Sequence, residues 1–355
     1  MSNTLLVTLR PFDYYFFGGE ETFNSGAKGM VNFQVKSNLL PQQTGLLGLL
    51  RHTLLTAGYP IGDSFNGTHS NFGAIKGISP LMLKHSNGEL FAPAPNMYSP
   101  DGTNISVGIS PGIGKVFLDN TWQDSTISAP GFDPKKGLEG FWANMGTGEL
   151  TSTFDIFSTC YHTGIDKQKR IKNKEGDGGF FRQQFVNLHK DYSFAFYATF
   201  NEEINIVRFP KSLPFGGEKR LFALGFTEVG ANAWDNILQQ YSNALKAQAK
   251  VSTCLFFLSD AWIPEPKEFV SQITFGTIQE QPFRNLITPS NSVSFGSFNK
   301  EPATHPNKLY KPSKASYLVK RGSVIWFNET NKNAIEAHLN QPIYKTIGYN
   351  HYIIF

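Results

Sequence analysis

Apolar residues in this chain come in short pieces, because 33 glycines and 20 prolines punctuate its 355 residues. Glycine and proline interrupt strand and helix interiors alike, so the pattern points to a loop-rich protein of short strands. The 32 phenylalanines are core or contact surface in such a fold. A hydrophobic content of 40% fills either two domains or one large one. Met1 to Leu9 lacks the basic and long apolar regions of a signal peptide, and no later run reaches membrane-spanning length. A cytoplasmic protein without membrane contact is expected. The 32 basic and 28 acidic residues leave a net charge of +4, so any preference for nucleic acid rests on local clusters. Cys160 and Cys254 stand far apart and predict buried free thiols, with neither disulfide nor zinc site.

Leu5 to Arg10 alternates and leads through Pro11 into Tyr14-Tyr15-Phe16-Phe17, an opening strand closed by Gly18-Gly19. Pro41-Gln42-Gln43-Thr44 announces a helix with Thr44 as N-cap. Leu46, Leu47, Leu49, Leu50, Leu54 and Leu55 form its apolar face, and Gly58-Tyr59-Pro60 stops it. From Gly58 to Gly148, short strands such as Leu81-Leu83 and Lys115-Leu118 alternate with long excursions. Extended structure is expected at Phe180-Val186, Tyr192-Phe200 and Val251-Leu258, and a helix at Ala231-Lys250. Tyr317-Lys320 and Ser323-Phe327 are expected to form a hairpin about Arg321-Gly322, with a short helix near Ala334-Leu339 and an aromatic end at Tyr349-Phe355. Strands and helices without regular βαβ alternation predict an α+β class of antiparallel sheets covered by helices.

Two segments gather charge. In Leu213-Pro214-Phe215-Gly216-Gly217-Glu218-Lys219-Arg220, adjacent glycines permit close approach of a partner, and Lys219 and Arg220 favour an anion; an ordinary hairpin turn has the same look. Lys167, Lys169, Arg170, Lys172 and Lys174 form the densest basic run, followed by Phe180, Phe181 and Arg182 as stacking faces. Two common enzyme templates are absent: there is no phosphate-binding Gly-x-x-x-x-Gly-Lys-Ser/Thr loop and no His-Glu-x-x-His. Asp13, Asp260 and Glu265 form no evident carboxylate cluster. No cofactor or metal is expected. Trp262, Phe295 and Phe298 are candidate interface anchors.

The order of Leu9-Phe17, Pro41-Arg51, Gly164-Gly176, Gly216-Arg220 and Gly322-Phe327 resembles the third-subunit family of the type III-B CRISPR Cmr effector complex, within the RAMP superfamily. The resemblance implies two ferredoxin-like, RNA-recognition-like domains with antiparallel sheets and long inserted loops, here divided as 1–155 and 156–355. It implies a non-catalytic, heteromeric subunit that binds the 5′ handle of the CRISPR RNA and docks the Cas10-type large subunit beside a RAMP backbone subunit. Candidate RNA contacts are Gln42, Thr44, Arg51, Lys167, Lys169, Arg170, Lys172, Gly216, Gly217, Lys219 and Arg220. Where relatives carry Arg-Asp-Gly, this chain has Gly18-Gly19-Glu20-Glu21, which removes a cation. Two alternatives stand beside this reading: a metal-independent RNA-processing endoribonuclease using His52 as general acid or base, and a scaffold whose basic loop touches only protein.

Overall fold

A strand that is apolar on both faces belongs at the centre of a sheet, and residues 4–11 are such a strand: Leu5, Val7 and Leu9 on one side and Leu6 on the other are all buried. The computed structural model describes residues 3–18, 34–61, 72–98, 108–118, 121–128, 135, 140–165, 180–248, 254–283, 288–289, 310–311 and 316–355, with only the backbone for 108–118, 121–128, 165, 180–181, 248, 288–289 and 310–311.

In chain order, β1 (Thr4–Pro11) and β2 (Gln34–Lys36) precede helix α1 (Gln43–Thr56). β3 (Ile75–Ile78), β4 (Met82–His85) and β5 (Leu90–Pro93) follow, then the ribbon β6 (Gly108–Leu118) and β7 (Thr121–Ser128). Next come β8 (Phe141–Asn144), β9 (Leu150–Ser152), the single turn α2 (Thr153–Ile156), β10 (Phe157–Ile165), β11 (Phe180–Leu188) and β12 (Tyr192–Phe200). β13 (Ser212–Pro214) and β14 (Leu221–Val229) lead into α3 (Ala233–Gln248) and β15 (Cys254–Phe257). The chain ends with α4 (Pro266–Ser271), β16 (Phe275–Thr277), β17 (Glu280–Phe283), β18 (Thr288–Pro289), β19 (Tyr310–Lys311), β20 (Ser316–Val319), β21 (Val324–Trp326), α5 (Lys332–Leu339), α6 (Pro342–Thr346) and β22 (Tyr352–Ile354).

A nine-stranded sheet runs β13-β14-β1-β12-β4-β5-β8-β9, with β3 also pairing β12. Within it, β14-β1-β12-β4 has the spatial order 4-1-3-2 of a βαββαβ unit, with α1 as its first crossover and a short 3₁₀ turn, Ile206–Arg208, between β12 and β14. The four-stranded sheet β16-β21-β15-β22 has the same order, with α4 and α5 as crossovers. Strands on both sides of residue 155 therefore share one sheet, and sheet membership changes between β14 and β15. The class is α+β as expected, and among the described residues every strand pairing is antiparallel except that of β11 with β2.

Both faces of the large sheet are covered. Leu5, Val7, Leu9, Phe194 and Phe196 pack with Leu46, Leu50 and Leu54 of α1. Leu6, Ala195 and Tyr197 turn the other way, into a cluster shared with Tyr241 and Leu245 of α3 and with Phe256 and Trp326 of the small sheet. Leu255, Phe257 and Ile325 on the opposite face of that sheet meet Phe269 of α4 and Ile335 and Leu339 of α5. Each such buried side chain contributes about 1.5–3 kcal/mol. The Tyr241 hydroxyl, fully buried, donates to the Pro93 carbonyl at 2.7 Å and ties α3 to β5.

Several local expectations are corrected. Thr44 is not the N-cap: Gln42 holds that position through its carbonyl, which accepts from Gly45 and Leu46, and Thr44 lies in the first turn. Leu55 is 56% exposed, outside the apolar face. Tyr317-Lys320 and Ser323-Phe327 are not a hairpin, since β20 pairs with β17 while β21 joins β15 and β16. The Arg321-Gly322 turn is instead fixed from outside, by Asp260 on the Arg321 backbone N–H and guanidinium. Trp262 is half-buried, stacked on Tyr344 and bonded through its backbone to Asn350, which makes it an internal strut. Cys254 is buried, with its thiol pushed up to about 12 by burial, whereas Cys160 is half-buried. Phe295 and Phe298 lie outside the described residues. No helix of the described residues is long and apolar enough to cross a membrane.

His351 sets an acid limit on the small sheet. Its Nε2 donates to the Lys345 carbonyl at 3.2 Å and its ring lies edge-on to Trp234. Burial, only partly offset by that carbonyl and reinforced by the Lys345 charge, brings its pKa down to about 4. The folded ring is neutral while the unfolded chain takes up a proton below about pH 6.5, so stability falls with pH in that window. Urea unfolding at pH 5 is expected to give about 2 kcal/mol less stability than at pH 7, and His351→Gln to flatten the difference.

Candidate nucleic-acid interface

RNA-recognition sheets stack bases on exposed aromatic residues of an open sheet face. Here both faces are covered, and Phe194, Phe196 and Tyr197 are buried, so an RNA surface has to be built from loops and strand ends.

The Gly-Gly segment is the turn of the β13–β14 hairpin. Gly216 has φ +80, and a Cβ there would sit 2.6 Å from the Phe16 carbonyl and 2.9 Å from the Phe17 ring. The glycines thus permit a close approach, but to the Phe16-Phe17 backbone of the same chain. The Gly217 N–H donates to the Phe16 carbonyl at 2.7 Å, so the amide expected to face a phosphate is used inside the fold. Glu218 and Lys219 both adopt left-handed backbone, at φ 59 and φ 50, which costs roughly 1–2 kcal/mol per non-glycine residue. The side chains of both are exposed at the tip of this strained turn.

Arg220 turns back over aromatic rings, with its guanidinium carbon 4.2 Å from the centroid of Tyr14 and 5.0 Å from that of Phe185. Its Nε is buried without a hydrogen-bond partner among the described residues. His162 completes the patch, 4.7 Å from both Tyr14 and Phe185. Strand register places Phe185 opposite Cys160, and His162 opposite Gln183, on one face of the β10–β11 ribbon. On the other face Arg182 lies 3.8 Å over the ring of Tyr161, which is 44% exposed. None of the described carboxylates forms an ion pair with Lys219, Arg220 or Arg182. Cations layered on aromatic rings and free of carboxylates can receive a phosphate and present flat surfaces to an unstacked base.

The other expected residues divide. Gly45 is 3.7 Å from Phe215, measured from where its Cβ would stand, which brings the start of α1 against the Gly-Gly hairpin. Gln42 is half-buried and donates to the Pro282 carbonyl at 3.4 Å, and Thr44 lies beside the buried Tyr349 hydroxyl. Arg51 is half-buried and already engaged within the protein. His52 is exposed on α1. Lys167, Lys169, Arg170, Lys172 and Lys174 lie outside the described residues, in the stretch joining β10 to β11. Sequence reasoning missed Tyr14, Tyr161, His162 and Phe185 as members of the patch. The alternation of Phe185 with Val186 in an aromatic strand was the available signal.

Comparison of the sequence with known families agrees with the resemblance noted above. Residues 7–355 match the family described as CRISPR-associated protein (Cas_Cmr3). The chain belongs to that family. No curated protein matches it. Among solved structures, a chain of the type III-B Cmr-beta complex bound to cognate target RNA, determined by cryo-EM, is similar with TM-score 0.48 and 14% identity, covering 98% of this chain and 96% of that one. A chain of the same complex bound to cognate target RNA and AMPPnP, in state 1, gives TM-score 0.48 and 12% identity over 97% and 94%. Likeness at that level carries no argument about shared contacts.

Proposed function

We propose that this protein is a non-catalytic, RNA-binding subunit of a cytoplasmic type III-B CRISPR ribonucleoprotein, holding the 5′ handle of the CRISPR RNA and joining a Cas10-type large subunit to the RAMP backbone. The reading starts from membership of the Cmr3 family over residues 7–355. The observation that carries the RNA contact is Arg220, layered on Tyr14 and Phe185 with a buried Nε that has no partner among the described residues, beside the exposed Lys219. Two βαββαβ strand orders, one in residues 4–229 and one in residues 254–355, support the ferredoxin-like reading of two units. Phosphates supply affinity at such a surface, and the shape and base edges of the handle supply selectivity.

The test is co-purification with partner subunits and RNA, followed by sequencing of the bound 5′ ends. Lys219→Glu combined with Arg220→Gln is expected to lower retention of RNAs sharing one repeat-derived 5′ end by about tenfold or more, with the thermal melt of the protein unchanged in shape. An assembled wild-type complex lacking such RNA overturns handle binding. Incubation of the chain with repeat RNA is expected to give no cleavage products, for wild type and His52→Ala alike.

A further inference from the structure

A cleft of about 460 Å³ opens between the two sheet units, where β5, β8 and α2 face the Lys320-Arg321-Gly322 turn. Its walls include Leu39, Pro93, Phe141 and Phe154, and Phe154 is 78% exposed. Two donors on its lining residues lack an acceptor among the described residues. Arg321 gives Nε and Nη2 to Asp260, while its Nη1 is buried with no partner among the described residues; the Arg321 side chain is only 6% exposed. Asn96 Nδ2 is likewise buried and unpartnered. The Asn96 N–H donates to the Gly322 carbonyl at 2.7 Å, and Gly322, at φ +91, leaves the space in which a Cβ would press on the Asn96 amide at 2.8 Å. Lys320 also lines the cleft; burial lowers the pKa of its ammonium, Asp260 offsets part of this and Arg321 adds to it.

Asp260 neutralises one of the two cations, which leaves one surplus positive charge in an apolar-walled cleft. A buried donor without an acceptor is unfavourable, so an acceptor supplied at this turn is favoured. An RNA backbone recruits a track of cations, one for each phosphate contacted, and the described lining holds no such track. One charge, aromatic and aliphatic walls and a desolvated floor are the chemistry of an anchor pocket for a protein side chain.

We propose that the cleft is a docking pocket for a partner protein, receiving one aspartate or glutamate carboxylate flanked by apolar residues at the cationic Lys320-Arg321 turn. The inference rests on the subunit reading above. Phe154, exposed at the cleft, is replaced by the photo-cross-linking residue p-benzoylphenylalanine, and the assembled complex is irradiated and its products are identified by mass spectrometry. The expected product joins Phe154's position to a partner-protein peptide containing Asp or Glu. Its yield falls tenfold or more with Lys320→Glu and is kept with Lys320→Arg. Cross-linking to RNA overturns the proposal, as does a peptide without an acidic residue or indifference to Lys320→Glu. So does absence of any cross-link in an assembly whose subunits and RNA are intact. Failure of the wild-type chain to enter an assembly overturns the subunit reading and this inference together, and the composition of the purified complex separates that case from the others.

Discussion

Asp260→Ala is expected to destabilise the protein by about 3–5 kcal/mol, because it strands the Arg321 guanidinium in a low-dielectric interior. The pair is buried, with side chains 6% and 4% exposed, and bidentate: Nη2 to Oδ2 at 2.8 Å and Nε to Oδ1 at 3.1 Å, with the Arg321 backbone N–H on Oδ1 at 2.9 Å. Burial by itself would raise the Asp260 carboxyl, but the Arg321 charge and hydrogen bonds, with help from Lys320, hold it below the usual carboxylate value. The pair therefore contributes stability above the ordinary carboxylate range and loses it as pH falls through the depressed pKa. Asp260→Leu combined with Arg321→Met is expected to recover most of the loss, since no uncompensated charge is left buried. Chemical denaturation of the two variants beside wild type measures both numbers. Equal destabilisation of single and double variants would mean that packing around the pair, and not its charge, sets the cost.

Gly348→Ala is expected to cost about 3 kcal/mol or more, through backbone and collision together. Gly348 sits at φ +84, and a Cβ there would run into the Gln43 amide and lie 2.6 Å from the Ser79 carbonyl. Gln43 is fully buried and donates from one nitrogen to the carbonyls of Ser79 and Gly348, both at 3.0 Å, so the collision also disturbs the bond that ties α1 to the end of the chain. Gly58 provides the control. Its φ is +85 but a Cβ would meet nothing within 4 Å, so Gly58→Ala should cost only about 1–2 kcal/mol, the conformational part. Similar denaturation midpoints for the two alanine variants would remove the collision from the account.

Much of the strand inventory was legible because alternation is local. Residues 192–200 read as a strand from sequence and are one, with Phe194 and Phe196 on one face and Ala195 and Tyr197 on the other. Pairing partners were not legible. Nothing in residues 4–11 announces β12 and β14 as neighbours, because strand pairing over such a sequence distance has no local signal. The supposed hairpin at 317–327 failed for a related reason: the turn is held by Asp260, 61 residues earlier, and a long-range ligand of a turn leaves no local trace. At the candidate interface, the cations at 219 and 220 stood out by charge. The rings beneath Arg220 come from β11 and from the segment after β1, and only the folded sheet brings Tyr14 and Phe185 together.

The position of β1 has a consequence for synthesis. It leaves the ribosome well before its neighbours, since Thr4 meets Thr199, 195 residues later, with β14 later still. At roughly 5–20 residues per second, an apolar strand with two unsatisfied edges waits about 10–40 s for its partners. During that interval Leu5, Val7 and Leu9 have no sheet to join, so an aggregation-prone apolar strand stays uncovered until β12 emerges.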